Sequence, residues 1–158
     1  NDGIDAIVLG LQDTRIIYIT TRNSGVWASL DRGIFWNSWS NALQGFQGSM
    51  DVIDLVQDPQ NPQHLILVSD FGILHTFDRG GRFEALPILT RPQEVPIYAF
   101  ALNPQNSLEM YYTDEATLYH SADGGSTWST KKLNFAKRVR VMLVDPHNPN
   151  VLYAGLTQ

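Results

Sequence analysis

The chain has 158 residues, of which 43% are hydrophobic and 17% charged, with a formal net charge of -5. That length and balance describe a folded chain with a sizeable core and exclude a disordered one. The acidic balance and the scatter of the eleven Lys and Arg residues argue against a nucleic-acid partner, because phosphate-binding surfaces need clustered cations. The nearest thing to a basic cluster, Lys131, Lys132, Lys137, Arg138 and Arg140, reads as a solvated outer strand and the loop after it. With no cysteines, disulfides, thiolate zinc sites and cysteine nucleophiles are excluded together. No run reaches the roughly 18 apolar residues of a membrane span, and no signal-peptide pattern is present. The opening Asn1-Asp2-Gly3, without methionine, suggests a processed precursor or a piece of a longer protein.

In chain order, an apolar run from Ala6 to Leu11 leads through Gln12-Asp13 to a second run, Arg15 to Thr20. Its alternation of β-branched and aromatic residues predicts a strand. A third run, Gly25-Val26-Trp27-Ala28, precedes the octet Ser29-Leu30-Asp31-Arg32-Gly33-Ile34-Phe35-Trp36. The succession then restarts: Val52 to Val56, the turn Asp58-Pro59-Gln60-Asn61-Pro62, His64 to Ser69, and Thr76-Phe77-Asp78-Arg79-Gly80-Gly81-Arg82-Phe83. A third round runs from Ile97 to Leu102, through Asn103-Pro104-Gln105-Asn106, Leu108 to Thr113 and Ala116 to His120. It continues with Ser121-Ala122-Asp123-Gly124-Gly125-Ser126-Thr127-Trp128 and a polar run to Leu133. A fourth starts with Val139 to Val144, Asp145-Pro146-His147-Asn148-Pro149 and Val151 to Leu156. No segment of ten or more residues carries a helical apolar period.

The octets and the Asp/Asn-Pro turns therefore recur in step, about 45 residues apart, with Gln12-Asp13 read as a degenerate first copy of the Asp58-Pro59 turn. Four short strands per unit of that length predict an all-β chain of antiparallel β-propeller blades. The expected blades are 1–46, 47–93, 94–136 and a partial one at 137–158, segments of one propeller domain. The first strand of each unit is the most apolar and the fourth the most polar, as for an inner and an outer strand. Three and a half blades leave a ring open, so the rest of a longer propeller or another chain is expected to close it.

In a hairpin between third and fourth strands, the octet's aspartate can accept backbone N–H bonds from its own turn, assisted by the hydroxyl two residues earlier. The fifth-position glycine supplies a positive φ, and the eighth-position aromatic can bury its ring between sheets. The pattern resembles the Asp-box, or BNR repeat, Ser-x-Asp-x-Gly-x-Thr-Trp. Ser121, Asp123, Gly125, Thr127 and Trp128 match it at every defined position. Ser29, Asp31, Gly33 and Trp36 match with Phe35 for threonine, and Thr76, Asp78, Gly80 and Phe83 match more loosely, with Arg82 for threonine. The second box is accordingly expected to be the least tightly held. Asp-box propellers include sialidases, xyloglucan-degrading glycoside hydrolases, sortilin-type receptors and photosystem II assembly factors. In that family the box lies on the blade periphery, so the resemblance implies a structural role for these residues and an extracellular, cell-surface or periplasmic setting.

Sialidase chemistry is not expected: Arg15-Ile16-Ile17 is the nearest approach to the family's Arg-Ile-Pro segment, and it falls where a second strand begins. A glycosidase needs two carboxylates about 5 to 10 Å apart. Asp51 and Asp54, at the start of the second inner strand, are the best candidates for a catalytic role, each with a bland alternative as a loop end or a polar channel residue. His64, His75, His120 and His147 share no ligand spacing, and Asp123-Gly124-Gly125 lacks the further ligands of a calcium loop, so neither metal nor cofactor is expected. Trp36, Trp39, Tyr111 and Tyr112 could stack on sugars but suit a core better. The reading is a non-enzymatic binding or scaffold module for a protein or glycan partner, with an extracellular xyloglucan-degrading hydrolase, its catalytic carboxylates partly outside this segment, as the rival.

Overall fold

The computed structural model describes residues 2–21, 23–134 and 137–157. Fourteen strands among them form three four-stranded antiparallel sheets and one two-stranded sheet, each in simple sequence order. The first sheet comprises β1 (Ile4–Leu9), β2 (Ile17–Thr21), β3 (Gly25–Ser29) and β4 (Asn37–Ser38). The second comprises β5 (Val52–Gln57), β6 (Leu65–Ser69), β7 (Gly72–Thr76) and β8 (Glu84–Ala85). The third comprises β9 (Ala99–Leu102), β10 (Met110–Thr113), β11 (Thr117–Ser121) and β12 (Ser129–Lys132); β13 (Val139–Val144) and β14 (Leu152–Leu156) pair alone. This is the expected all-β, blade-like architecture. The expected boundary at 136 and the termini at 1 and 158 fall outside the described residues. One four-residue helix, α1 (Ser40–Leu43), lies in the connection after β4.

The sheets stack face to face, and the period-two alternation of a strand decides which neighbour each side chain meets. In β6 every residue is buried. Leu65 and Leu67 join Tyr18, Val26 and Trp39 in the core between first and second sheets, while Ile66 and Val68 join Phe100, Met110 and Tyr112 in the core between second and third. A sheet covered on both faces calls for the uninterrupted apolar run seen there. The outermost faces lack such cover: Ile7 and Leu9 of β1 are 63% and 54% exposed, and Val141 and Leu143 of β13 are 61% and 60% exposed. The inner strands are thus apolar in sequence but unevenly buried, β9 throughout and β1 hardly at all, and the outer β12 is exposed throughout.

The turns between first and second strands align by their hydrogen bonds. The amides of Gly10, Asp58, Asn103 and Asp145 donate to the carbonyls of Ile16, His64, Glu109 and Val151. The side chains of Asp13, Asn61, Asn106 and Asn148 each accept the amide two residues on. Asp13 therefore occupies the place of Asn61, not that of Asp58, which corrects the sequence alignment of this turn by three residues. Its side chain performs the same Asx-turn service. Two glutamines tie neighbouring turns across the seams: Gln60 Nε2 donates to the Pro104 carbonyl at 2.8 Å, and Gln105 Nε2 to the Pro146 carbonyl at 2.7 Å.

Candidate functional site

Antiparallel pairing sorts the connections to two ends. Turns 58–64 and 77–83 share one end of the second sheet, while Asp70-Phe71 and the chain before β5 and after β8 share the other. The three octets all lie at the hairpin end. In each, the first hydroxyl donates to the aspartate: Ser29 to Asp31 at 2.8 Å, Thr76 to Asp78 at 2.7 Å, Ser121 to Asp123 at 2.8 Å. The same oxygen accepts the amide of Gly33, Gly80 or Gly125 at 2.8, 3.0 and 2.9 Å. Asp31 Oδ1 accepts the amides of Ile34 and Phe35, and Asp123 accepts the amide and hydroxyl of Thr127. Asp78 accepts the Arg82 amide from that side of its turn. These bonds hold all three carboxyls below the usual value: chiefly the Phe35 amide for Asp31, the Thr76 hydroxyl for Asp78 and the Thr127 hydroxyl for Asp123.

The eighth-position aromatics differ in use. Trp36 Nε1 donates to the Gly33 carbonyl of its own turn, Phe83 is buried against Trp39, and Trp128 Nε1 donates across the seam to the Pro87 carbonyl at 2.7 Å. Trp39 and Tyr112 are core residues, and Tyr111 stacks on His120 at 4.5 Å. Because the Thr76 hydroxyl is buried and serves the buried Gly80 amide, Thr76→Val, which keeps the shape and removes the acceptor, is expected to cost about 1–3 kcal/mol. Urea denaturation at neutral pH checks this; an unchanged midpoint would mean that the hydroxyl is dispensable.

At the opposite end an open cavity of about 500 Å³ is lined by Gln47, Gly48, Asp51, Asp70, Gln93 and Pro96. The Asp70 amide donates to the Asp51 carbonyl at 3.2 Å, and Gln93 Nε2 to the Gln47 carbonyl at 2.6 Å, so the connection before β5 is tied both to the β6–β7 turn and to the connection after β8. Asp51 and Asp70 bring two carboxylates to this cavity. Asp54 lies elsewhere: the register shift between Val52 and Asp54 turns it toward a separate, mostly apolar cavity of about 280 Å³ with Val56, Phe100, Leu102, Met142 and Val144. Burial there raises its pKa, against a 2.8 Å bond from the Leu55 amide.

Asp58 is buried in the seam between second and third sheets and accepts Ser107 Oγ at 2.7 Å, the Gln60 amide at 2.8 Å and the His64 imidazole at 2.8 Å. The serine is bonded to the carboxylate and not to the imidazole, so this is not the arrangement that activates a nucleophile. His64 also stacks on Phe77 at 4.3 Å, beside His75. Among the described residues no group of three His, Cys, Asp or Glu side chains could hold a metal ion. Of the basic cluster, Arg138 pairs with Glu115 at 2.8 Å and lies over the Tyr98 ring, and Lys131 and Lys132 sit on exposed β12. No helix among the described residues is long and apolar enough to cross a membrane.

No family model and no curated protein matches the chain. Solved structures do. An ancestral GH74 enzyme superposes with a TM-score of 0.77 at 18% identity, over 96% of this chain and 21% of its own. An extracellular domain from B. thetaiotaomicron, described as part of a one component system, gives 0.69 at 15% over 97% and 19%. An auxiliary nutrient binding protein from Bacteroides thetaiotaomicron gives 0.68 at 11% over 98% and 36%. The chain spans about a fifth of the first two and 36% of the third. With its series of antiparallel sheets in sequence order, the chain is a partial β-propeller.

Proposed function

We propose that the chain is a non-enzymatic binding module, a segment of one propeller domain, which holds a protein or glycan partner at its loop end. The observation that carries this reading is the open cavity around Asp51, Asp70 and Gln93. It is roomy, polar and built from loops on a rigid scaffold, the usual home of recognition. The hairpin-end octets serve the fold: we read them as Asp-boxes whose carboxylates are engaged by their own turns. The exposed apolar faces of β1 and β13 support a ring completed by further blades, from a longer propeller or another chain. The extracellular domain among the similar structures supports an extracellular, cell-surface or periplasmic setting.

The rival reading, a glycoside hydrolase, draws on the two carboxylates of the same cavity and on the likeness to an ancestral GH74 enzyme. Xyloglucan oligosaccharides separate the two. Calorimetric titration is expected to detect saturable binding that Asp70→Ala and Gln93→Ala each weaken about tenfold, with the oligosaccharide recovered intact. Turnover abolished by Asp51→Asn would establish the hydrolase instead, and absence of binding would remove the glycan from the proposal and leave the protein partner.

A further inference from the structure

The hairpin end holds a third cavity, of about 280 Å³, in the seam between first and second sheets, lined among others by Gln12, Asp13, Gln57, Asn61, Gln63 and Arg79. Arg79 is the fourth residue of the second octet, anchored by its amide to the Gln63 carbonyl at 3.1 Å. Its guanidinium has no carboxylate partner among the described residues, and its Nε is buried without an acceptor. That nitrogen can only donate, so what the site lacks is an acceptor.

Arg79 adopts φ 61°, as Arg32 does at φ 66° in the same place of the first octet, while the third octet has Gly124 there at φ 71°; a non-glycine residue in that place carries a conformational cost. Asp13 is the one carboxylate on the wall, and its charge is met by Arg15, with Nε at 3.0 Å and Nη2 at 2.7 Å. Gln57 is occupied by the Leu11 amide and the Pro62 carbonyl, and Asn61 by the Gln63 amide. Gln12 and Gln63 contribute neutral amides beside the single unpaired cation. One guanidinium matches a monoanion, and neutral amides match hydroxyl groups.

We propose that this seam is a binding site for a small hydroxylated monocarboxylate of sugar-acid size, whose carboxylate accepts from Arg79. The site lies at the opposite end from the loop cavity and stands or falls independently of it. Sodium glucuronate titrated into the ¹⁵N-labelled chain at constant ionic strength, followed by amide shifts, tests it, with glucose and inorganic phosphate as controls. Saturable shifts are expected around residues 12–16, 61–64 and 79, with affinity reduced at least about tenfold in Arg79→Gly. Arg79→Gly reproduces the residue of the third turn and relieves the positive φ, so the fold is retained and a loss of binding reports on the guanidinium. Equal affinity in Arg79→Gly, equal binding of glucose or of phosphate, or no saturable shift would each overturn the proposal.

Discussion

Gly80→Ala is expected to destabilise the chain by about 3 kcal/mol or more, while the same change at Gly33 costs about 1 kcal/mol. The two glycines hold the same position in their octets with similar φ, 95° and 86°, so the backbone penalty is shared. Their surroundings are not. A Cβ on Gly80 would sit 2.2 Å from Cε2 of Trp39, which packs between Tyr18 and Phe83 with ring centroids 5.6 and 5.3 Å away. The indole is boxed in and cannot retreat without opening the core between first and second sheets. On Gly33 the nearest atom is 3.5 Å away, in Trp36 of its own turn. Gly125, where a Cβ would meet Leu86 at 2.8 Å, is expected to fall between, because an aliphatic side chain yields more readily than a trapped indole. At about 2–4 °C per kcal/mol for a chain of this size, thermal melts should order the variants Gly33→Ala, Gly125→Ala, Gly80→Ala from mildest to most severe. Equal losses at Gly33 and Gly80 would place the whole effect in the turn and none in the seam.

That ordering could not have been written from the sequence, where the three glycines look alike. Strands and repeat were legible because they rest on local signals: period-two alternation, prolines that fix φ, and octets whose hydrogen bonds close within five residues. The seams are non-local. Trp39 and Leu86 follow their outer strands in equivalent places, as the bonds from their amides to Val26 and Ile73 show, yet only the stacked sheets reveal that each covers the glycine of the next octet. The same limit hid the loop-end cavity. Asp51 was legible as an inner-strand end, but its neighbour there is Asp70, from the turn between β6 and β7, and not Asp54, which a register shift sends to another cavity. A signal for Asp70 was present: Asn23, Asp70 and Asp114 mark the same turn in three successive units. Gln12-Asp13 misled for the opposite reason. Residue identity aligned it with Asp58, whereas the backbone ladder aligns it with Asn61, since either side chain can close an Asx turn.

Asp58→Ala is expected to cost about 3–5 kcal/mol, the range for breaking a buried charged hydrogen-bond group by removing one partner. The carboxylate is 1% exposed and gathers an imidazole, a hydroxyl and an amide from both sides of a seam. Without it, His64 Nδ1 would join Nε2, which already lacks a partner, as a buried unsatisfied atom. The pH dependence follows from the direction of the shift. Burial pushes the Asp58 carboxyl up, but the bonds from His64, Ser107 and Gln60 together outweigh it and hold the group below its ordinary 3.8. A carboxyl lowered on folding binds fewer protons in the native state than in the unfolded one. Its contribution is therefore present above the unfolded value of about 3.9 and is lost as pH falls through the lower folded value. Urea denaturation of the wild type and Asp58→Asn should accordingly differ above the unfolded value of about 3.9 and converge as pH falls below it. The other lowered carboxyls, Asp13 at about 2 among them, titrate in both proteins and cancel in the difference. A gap that stays constant over that range would mean that Asp58 contributes through shape and neutral hydrogen bonds alone, and that the charge at the centre of this seam is incidental to holding the sheets together.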